Sequence, residues 1–429
     1  MILLYNIFFP LLFLLYLPFY LVHIFKRGGL TVEYWQRFGF FDKATKAKLR
    51  QLRNPVWLHA VSVGEAVAAT TFLNVWKRQD PSLQIVYSCG TSTGFALAKK
   101  KLPADAVCIY CPFDFWWAVW HALNLVKPSM LLIFEVEIWP NLLLQAHKRG
   151  IKLALVNGRL SDKSTKGYQR WRGFFGRLFR QFDALCLQSP EDAARLRSII
   201  GDDPRIAVCD TMKFDQVPDR TSQDKSPVLD KFFGPDADRL VFTVGSTHEG
   251  EEETICTILA NLKRDYPHLK TVRVPRHQER AAEVERVVIA HGLTCRCLQG
   301  GEGDEPVDVL LVNTTGELMD FYACCDLAFV GKSLDSQEGG HNMIEPAIFG
   351  KPVIYGPHIE NFRAVGEFFR EANASIELRN DAELEPTLRR LLDSSTERET
   401  LGQRARQLVE QRRGAIDRTI SILKNLQGN

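Results

Sequence analysis

The chain has 429 residues, of which 45% are hydrophobic and 24% are charged, as in globular proteins with large apolar cores. This composition excludes a mainly disordered chain. The 54 basic and 51 acidic side chains give a formal net charge of +3, too close to balance to indicate a nucleic-acid-binding protein.

The first predicted element is an apolar segment at the N-terminus. Residues 1–25 carry no charged side chain, and a helix of that length, rising about 1.5 Å per residue, can cross the ~30 Å hydrocarbon layer of a bilayer. Residues 26–53 then carry eight basic and two acidic side chains, a local charge of +6. Such a cluster favours the cytoplasmic side of a membrane with anionic lipids. We therefore predict a membrane anchor at residues 1–27.

Two other interpretations of the N-terminal segment stay open. Pro10 and Pro18 interrupt the helical pattern, so the anchor could be kinked or re-entrant and never reach the far side of the membrane. A cleavable signal peptide is the second alternative, but the basic n-region and the small-residue cleavage site typical of such peptides are missing.

Beyond the anchor, short apolar runs rich in β-branched residues alternate with longer helical patterns. The predicted strands are Val56–Val61, Gln84–Cys89, Met130–Phe134, Lys152–Val156 and Ala184–Gln188. The helical patterns lie at Glu65–Lys77, Ser92–Lys101, Phe115–Val126, Asn141–Arg149 and Glu191–Ile200. Continuous apolar strands separated by helices are typical of a parallel sheet covered on both faces. We therefore predict a first Rossmann-like domain at residues 28–216.

A second alternating series follows residues 217–239, which are rich in proline and charge and are predicted to be a linker. Its strands are expected at Leu240–Gly245, Lys270–Val274, Val309–Val312, Leu327–Gly331 and Val353–Tyr355. This series predicts a second Rossmann-like domain at residues 240–429. The predicted fold class is α/β, with two doubly wound domains facing a cleft and ligands at the carboxyl ends of the strands.

The ten cysteines follow no recognisable framework. Cys108 and Cys111 form an isolated Cys-x-x-Cys, and no second pair completes a zinc site. We therefore predict no metal, and a reducing compartment fits the free cysteines.

The first candidate acid is Glu65, in the segment Ser62-Val63-Gly64-Glu65 between a predicted strand and helix. Gly64 allows a substrate to approach the backbone, and a carboxylate at this edge could act as a general base. The alternative is that Glu65 only complements the dipole of the helix that follows.

Two further carboxylates, Glu135 and Glu137, follow the apolar strand Met130–Phe134. They would point the same way if the strand continued through them. Carboxylates at the carboxyl edge of a sheet favour a site, and the alternative is a salt-bridged pair that closes the turn before Pro140.

The second domain supplies the candidate anion-binding residues. Arg276 closes a predicted strand, where its guanidinium could bind a phosphate through two hydrogen bonds. The turn Thr315-Gly316-Glu317 precedes a helix whose N–H groups could receive an anion, although simple capping also fits. The glycines before His341 and Asn342 free the backbone for a ligand, and Glu345 is placed to accept from a diol. A glycine hinge with a buried acid is the alternative.

Taken together, these motifs resemble the Kdo transferases, membrane-bound enzymes that add 3-deoxy-D-manno-octulosonic acid (Kdo) from CMP-Kdo to the lipid A precursor. The resemblance extends over nearly the whole chain. It is carried by Ser62–Glu65, Glu135–Asn141, Asn157–Ser161, Met212–Asp215, Ser246–Glu251, Val274–His277, Gly316–Leu318, Gly339–Asn342, Glu345-Pro346 and Gly356–His358. Lys332 departs from the family, which tends to have glycine after that strand.

The resemblance implies the GT-B architecture and an inverting glycosyl transfer to lipid IVA at the bacterial inner membrane, with the catalytic domains in the cytoplasm. It implies that Glu65 is the general base and that Glu135 and Lys213 stabilise the transition state. It also implies that the last helix packs back on the first domain. CMP-Kdo would be bound, without a metal or other cofactor, by Pro275, Arg276, Thr315, Gly316, Glu317, Asn342, Met343, Ile344 and Glu345.

Two alternative functions remain open from the residues alone. A GT-B transferase could use another nucleotide sugar, such as a UDP-sugar. A catalytically silent, membrane-anchored nucleotide-binding module is the second alternative, although Glu65 and Arg276 are both present.

Overall fold

The computed structural model describes residues 1–26, 32–217 and 227–427. The chain forms two compact units, one of Met1–Gln216 with Arg413–Asn429 and one of Val217–Arg412. The chain therefore leaves the first unit and returns to it near its end. The first unit thus takes in the apolar N-terminal helix and the final helix, and the second unit begins within the segment that we expected to be a linker.

The first unit is built around one parallel sheet. Its strands are β1 (Val56–Ala60), β2 (Ile85–Cys89), β3 (Val107–Tyr110), β4 (Met130–Phe134), β5 (Lys152–Gly158), β6 (Ala184–Leu187) and β7 (Ile206–Val208). They are ordered β3-β2-β1-β4-β5-β6-β7, and all pair in parallel. The central strands β1, β2 and β4 are buried along their whole length, because helices cover both faces of the sheet.

The helices of the first unit lie before, between and after these strands. They are α1 (Ile2–Lys26), α2 (Lys43–Gln51), α3 (Val63–Gln79), α4 (Ser92–Lys101), α5 (Trp116–Val126), α6 (Pro140–Lys148), α7 (Asp162–Arg170), α8 (Arg172–Phe179), α9 (Pro190–Ile200) and, at the C-terminal end, α18 (Ala415–Gln427). The core on one face of the sheet includes Ile416, Ile420 and Leu423 of α18. The final helix is therefore part of the first unit's core.

The apolar helix α1 packs on the body of the first unit by one face. The ring of Phe9 lies 5.3 Å from that of Phe115, and the ring of Phe13 lies 4.9 Å from that of Phe113. The Tyr5 hydroxyl donates to the buried Asp114 carboxylate. The segment Ile2–Phe19 has a mean hydropathy of 2.1 and is long and apolar enough to cross a membrane. Its other face, which includes Leu4, Leu11 and Leu15, is exposed.

The second unit has a parallel sheet of the same kind. Its strands are β8 (Leu240–Thr247), β9 (Leu269–Pro275), β10 (Cys295–Cys297), β11 (Val309–Leu311), β12 (Leu327–Val330), β13 (Val353–Tyr355) and β14 (Ile376–Glu377), in the order β10-β11-β9-β8-β12-β13-β14. Its helices are α10 (Pro227–Phe233), α11 (Glu251–Lys263), α12 (Ala281–Ala290), α13 (Leu318–Cys324), α14 (Ile344–Ala347), α15 (Arg363–Glu371), α16 (Leu384–Asp393) and α17 (Ser395–Arg412).

The two parallel sheets with helices confirm the predicted α/β fold class. The main difference from the sequence-based assignment is α10, which lies inside residues 217–239. Leu229, Phe232 and Phe233 of this helix are buried, so part of the expected linker is a packed element of the second unit. Residues 218–226 of that segment, like residues 27–31, lie outside the described part of the chain.

Candidate active site

Glu65 lies in the first turn of α3, after the carboxyl end of β1. The Glu65 amide donates to the hydroxyl of Ser62, the N-cap, at 3.2 Å. The Glu65 carboxylate in turn accepts from the amides of Val61 at 2.8 Å and Ser62 at 3.2 Å. This reciprocal pair is a capping box, which satisfies amides that the helix leaves without partners. The carboxylate is only partly buried, so Glu65 both caps α3 and stays open to a ligand.

Glu135 lies at the carboxyl end of the neighbouring strand. β4 ends at Phe134, and Glu135 has a φ of 56°, in the left-handed region. The strand therefore does not continue through Glu135 and Glu137, which was the condition for expecting them to point the same way. Left-handed backbone at a bulky residue is uncommon and concentrates at functional sites. The Glu135 amide donates to the Val156 carbonyl at 2.9 Å, which fixes the turn against β5.

The carboxylates of the first unit interact with one another and with two cations. Burial, and then Glu65, raise the pKa of Glu135 to about 7, while Lys213 and Arg159 lower it. Burial and Glu65 also raise the pKa of Glu137 to about 7. Burial lowers the pKa of Lys213 to about 8, against the opposing effect of Glu135. Groups whose pKa values lie near neutrality can take up or release a proton during a reaction.

Lys213 is held in place from both sides of its loop. The Met212 amide donates to the side-chain oxygen of Asn157, at the end of β5, at 3.1 Å. Two residues beyond Lys213, the Asp215 carboxylate accepts from the amides of Gly414 at 2.7 Å and Ile416 at 2.8 Å. The start of α18 therefore anchors the loop that carries Lys213.

The structure brings together the predicted residues Glu65, Glu135 and Lys213 at the carboxyl edge of the first sheet. It adds Arg159, which we did not predict as a site residue. Arg159 directly follows β5. Ligands of such sheets bind at the carboxyl ends of the strands, so its position after a strand, like that of Glu135, could have identified it.

In the second unit, the buried carboxylate of Glu251 organises two loops. One oxygen accepts from the amides of His248 at 2.9 Å and Lys332 at 2.8 Å. The other accepts from the amides of Ser333 at 2.9 Å and Leu334 at 3.2 Å. Lys332 has a φ of 60°, a conformation that favours glycine. Glu251 therefore fixes the loops that follow β8 and β12 and sets the position of Lys332.

A cluster of basic side chains lies where these loops meet the end of β9. Nε2 of His248 lies 3.0 Å from Nε2 of His341. Burial, followed by Lys332 and His277, lowers the pKa of His248 to about 4. Burial, followed by Arg276, lowers the pKa of His341 to about 3. Both imidazoles are therefore neutral at pH 7, so one donates its N–H to the other, and Arg276 and Lys332 provide the positive charge of the cluster.

Glu345 and Asn342 adjoin this cluster. The Asn342 side-chain amide donates to the Glu345 carboxylate at 3.3 Å. Burial raises the pKa of Glu345, whereas Asn342 and Arg276 lower it. The side chains of the predicted ligand residues Met343 and Ile344 are fully buried, so only their backbone could contact a ligand.

The remaining predicted donor residues are placed differently. Pro275 ends β9 and is buried, and Arg276 beside it is exposed. Thr315 and Gly316 form an exposed turn before α13, with Gly316 at a φ of 95°. Within the described residues, no side-chain hydrogen bond connects this turn to Arg276.

Sequence reasoning missed His248, His277 and His341 as site residues. His248 follows β8 and His277 follows β9 by two residues, so strand ends again carried a usable signal. Across the described ranges 1–26, 32–217 and 227–427, no group of three or more His, Cys, Asp or Glu side chains is arranged to hold a metal ion.

The fold as a whole is similar to known glycosyltransferases. The chain superimposes on the crystal structure of a glycosyltransferase from Rickettsia africae with a TM-score of 0.57, at 12% identity, over 88% of this chain and 99% of that one. With its two parallel α/β units, the chain has the GT-B fold of glycosyltransferases.

Sequence comparison defines the family. Residues 33–216 match the family model described as 3-deoxy-D-manno-octulosonic-acid transferase. The 3-deoxy-D-manno-octulosonic acid transferase of Haemophilus influenzae is 30% identical over 391 residues, which cover 91% of this chain and 90% of the relative. That of Rickettsia bellii is 28% identical over 428 residues, covering 97% and 98%. The chain belongs to the Kdo transferase family and is a glycosyltransferase.

Proposed function

We propose that this Kdo transferase takes Kdo from CMP-Kdo and adds it to lipid IVA, the lipid A precursor, in lipopolysaccharide core biosynthesis. The observation that carries the proposal is the cluster of Glu65, Glu135 and Lys213 at the carboxyl edge of the first sheet. A sugar hydroxyl is a poor nucleophile, so a positioned carboxylate has to remove its proton as it attacks. We assign this task to Glu65, because its carboxylate is partly exposed and adjoins two further charged groups.

The reaction forms one bond and breaks another. The acceptor oxygen bonds to the anomeric carbon of Kdo while the bond from that carbon to the phosphate oxygen of CMP breaks. The hydroxyl proton goes to Glu65, and CMP leaves as a phosphate monoester. Attack from the face opposite CMP inverts the anomeric centre.

The donor is proposed to bind the second unit. Arg276 is exposed and joins Lys332 in a cluster in which His248 and His341 are neutral, so a phosphate there meets two cations. Charge-assisted hydrogen bonds of this kind are shorter and stronger than neutral ones. Glu345 and Asn342 would accept from and donate to the hydroxyls of the ribose. No metal is needed in this scheme, because side chains and backbone amides supply the charge stabilisation.

The acceptor is a lipid, and we propose that the enzyme works on the cytoplasmic side of the bacterial inner membrane. The support is the apolar helix α1, which presents an exposed face of leucines, followed by the basic residues of 26–53. An enzyme held at the bilayer surface can take its acceptor from the membrane without extracting it into water.

Product analysis tests the proposal. The full chain is incubated with CMP-Kdo and tetraacylated lipid IVA, and the lipid fraction is analysed by mass spectrometry. We expect lipid IVA to gain Kdo, and CMP to inhibit more strongly than UDP. Transfer from a UDP-sugar but not from CMP-Kdo would favour the other nucleotide-sugar enzyme, and CMP binding without any transfer would favour a silent binding module.

A further inference from the structure

A cavity of about 490 Å³ lies on the first unit between the end of α2 and the end of α5. Three basic side chains, Lys46, Arg50 and Lys127, line it together with His121. Among the described residues that line the cavity there is no carboxylate. The cavity is therefore an electropositive recess, suited to an anion.

The three cations of this cavity are not used elsewhere in the unit. Across the described ranges, Lys46, Arg50 and Lys127 form no ion pair and no side-chain hydrogen bond. The recess therefore carries positive charge that no side chain of the described residues neutralises and that a bound anion would.

Exposed aromatic side chains lie in the wall of the cavity and next to it, and we call them its aromatic rim. Phe40 forms part of the wall, and the ring of Trp120 lies 5.0 Å from that of His121. Trp116 is four residues before Trp120 on α5, so both lie on the same helix face. Phe40, Trp116 and Trp120 are each about half exposed. Exposed aromatic side chains beside cations are typical of surfaces that lie at a membrane interface.

The cavity is connected to the apolar helix α1 through packed side chains. The ring of Phe13 on α1 lies 6.1 Å from that of Phe38. Gly39, the next residue, lines the cavity, and its positive φ and close approach to Ala118 disfavour any other residue there. The helix that we propose to enter the bilayer thus packs against Phe38, the residue directly before the cavity wall.

The cavity is separate from the acid cluster. Lys127 precedes β4, whereas Glu135 follows it, so the two lie at opposite ends of the same strand.

We propose that this cavity binds the phosphate headgroup of an anionic bilayer lipid, with Lys46, Arg50 and Lys127 around the phosphate and the rings of Phe40 and Trp120 at the interface. The proposal rests on the membrane location given under the proposed function. A soluble phosphate would need the cations but would gain nothing from the aromatic rim, so the rim favours a lipid.

Lipid binding by the full chain in detergent micelles tests the proposal. Native mass spectrometry measures the retention of phosphatidylglycerol and of phosphatidylcholine by the wild type and by K46Q/R50Q/K127Q. Each cation near an anionic headgroup contributes about fivefold, so we expect the triple variant to lose about a hundredfold in phosphatidylglycerol affinity. Binding of phosphatidylcholine should stay within twofold. The matched control is K148Q/K163Q/K166Q, which removes the same charge from exposed lysines outside the cavity and should retain phosphatidylglycerol.

Three results would overturn the proposal. The first is undiminished phosphatidylglycerol retention in the cavity variant, and the second is an equal loss in the control variant. The third is competition by glycerol phosphate at the concentration of the lipid itself, which would assign the cavity to a soluble anion. If melting curves show that the triple variant does not fold, K127Q is used instead. This single variant should lose about fivefold in phosphatidylglycerol affinity, and an unchanged affinity would overturn the proposal.

The lipid measurement and the transfer measurement fail independently. Lipid retention is read without CMP-Kdo or lipid IVA, so a negative result leaves the proposed transfer reaction intact. Conversely, absence of Kdo transfer with normal phosphatidylglycerol retention would count against the proposed function only.

Discussion

The Glu65 carboxylate accepts hydrogen bonds from the amides of Val61 and Ser62. Two substitutions are therefore needed to separate its structural contribution from its catalytic one. Glu65→Gln removes the base but keeps an oxygen that can accept an amide. We expect turnover to fall by about 10²- to 10⁴-fold, the usual contribution of a general base, with CMP affinity nearly unchanged. The measurement is single-turnover Kdo transfer at saturating substrates.

Ser62→Ala is the matched control for Glu65→Gln. It removes the hydroxyl that accepts a hydrogen bond from the Glu65 amide and should cost about 0.5–2 kcal/mol of folding stability, while Kdo transfer is largely retained. Near-normal transfer by a folded Glu65→Gln protein would exclude Glu65 as the base and make Glu135 the next candidate.

Glu135 is expected to make the stability of the protein depend on pH. Its pKa is raised from an ordinary carboxyl value to about 7, so the folded protein holds a proton that the unfolded chain releases. The contribution of Glu135 to the free energy of unfolding therefore falls as pH rises from about 4.5 to 7 and is constant above that range. We expect Glu135→Gln to raise the melting temperature at pH 8 and to leave it unchanged at pH 4. An equal shift in melting temperature at pH 8 and pH 4 would show that ionisation of the Glu135 carboxyl does not destabilise the fold.

Arg276 is the residue on which the donor assignment depends. Loss of a charge-assisted contact to phosphate costs about 1.5–3 kcal/mol, so Arg276→Ala should weaken CMP binding by about 10- to 150-fold. Calorimetric titration with CMP measures it. Arg286→Ala, an exposed arginine on α12, is the control and should bind CMP normally. Equal CMP affinity in a folded Arg276→Ala protein would remove this residue from the donor site.

At the scale of elements, α1 divides its apolar surface between the protein and its surroundings. Phe9 and Phe13 face the body, whereas Leu4, Leu11 and Leu15 are exposed. Replacing these three leucines with lysine leaves the packed face intact but adds charges that are costly in hydrocarbon. We expect the variant to move from the washed membrane pellet to the soluble fraction after cell lysis.

The control for the α1 variant is Ile289→Lys, at an exposed apolar residue of the second unit. It should remain in the membrane pellet with the wild type. If the leucine variant also stayed in the pellet, membrane attachment would not depend on the exposed face of α1.

The strands that the sequence did not predict lie at the edges of the two sheets. The missed strands β3, β7, β10 and β14 are the edge strands of the two sheets. The strands β7, β10 and β14 have only two or three residues each, and Arg296 interrupts β10, so none of them forms an apolar run of ordinary strand length. The fourth, β3, is an apolar run of four residues that the assignment missed. The central strands, which carry the candidate acids at their ends, gave the clear signal. This explains why Glu65 and Glu135 could be predicted whereas the extent of each sheet could not.

The loop contacts that hold the basic cluster of the second unit together could not be predicted, for a different reason. Ser246 and Glu249 fit the pattern of a capping box, but α11 begins at Glu251 after Gly250. The carboxylate that organises these loops is that of Glu251, which is buried. It accepts hydrogen bonds from amides of a loop about 80 residues further along the chain. Such long-range contacts are not visible in local spacing, and they set the positions of His248 and Lys332.

The first unit is assembled from both ends of the chain. Ile416, Ile420 and Leu423 of α18 are buried in its core. Burying a large apolar side chain contributes about 1.5–3 kcal/mol, so the three together are comparable with the total stability of a typical domain. We expect a chain ending at Arg412 to lose protease resistance in the first unit, while removal of residues 428 and 429 alone has no effect. Equal resistance of the two truncated chains would show that α18 is dispensable.

The return of the chain through α18 also has a consequence for synthesis. The ribosome makes about 200 residues between Gln216 and Arg413, and at about 5–20 residues per second this takes on the order of 10 to 40 s. During that interval the first unit lacks the helix that completes its core and anchors the Lys213 loop through Asp215. The nascent protein would therefore gain its complete acid cluster only when translation ends, after α1 has already emerged and can engage a membrane.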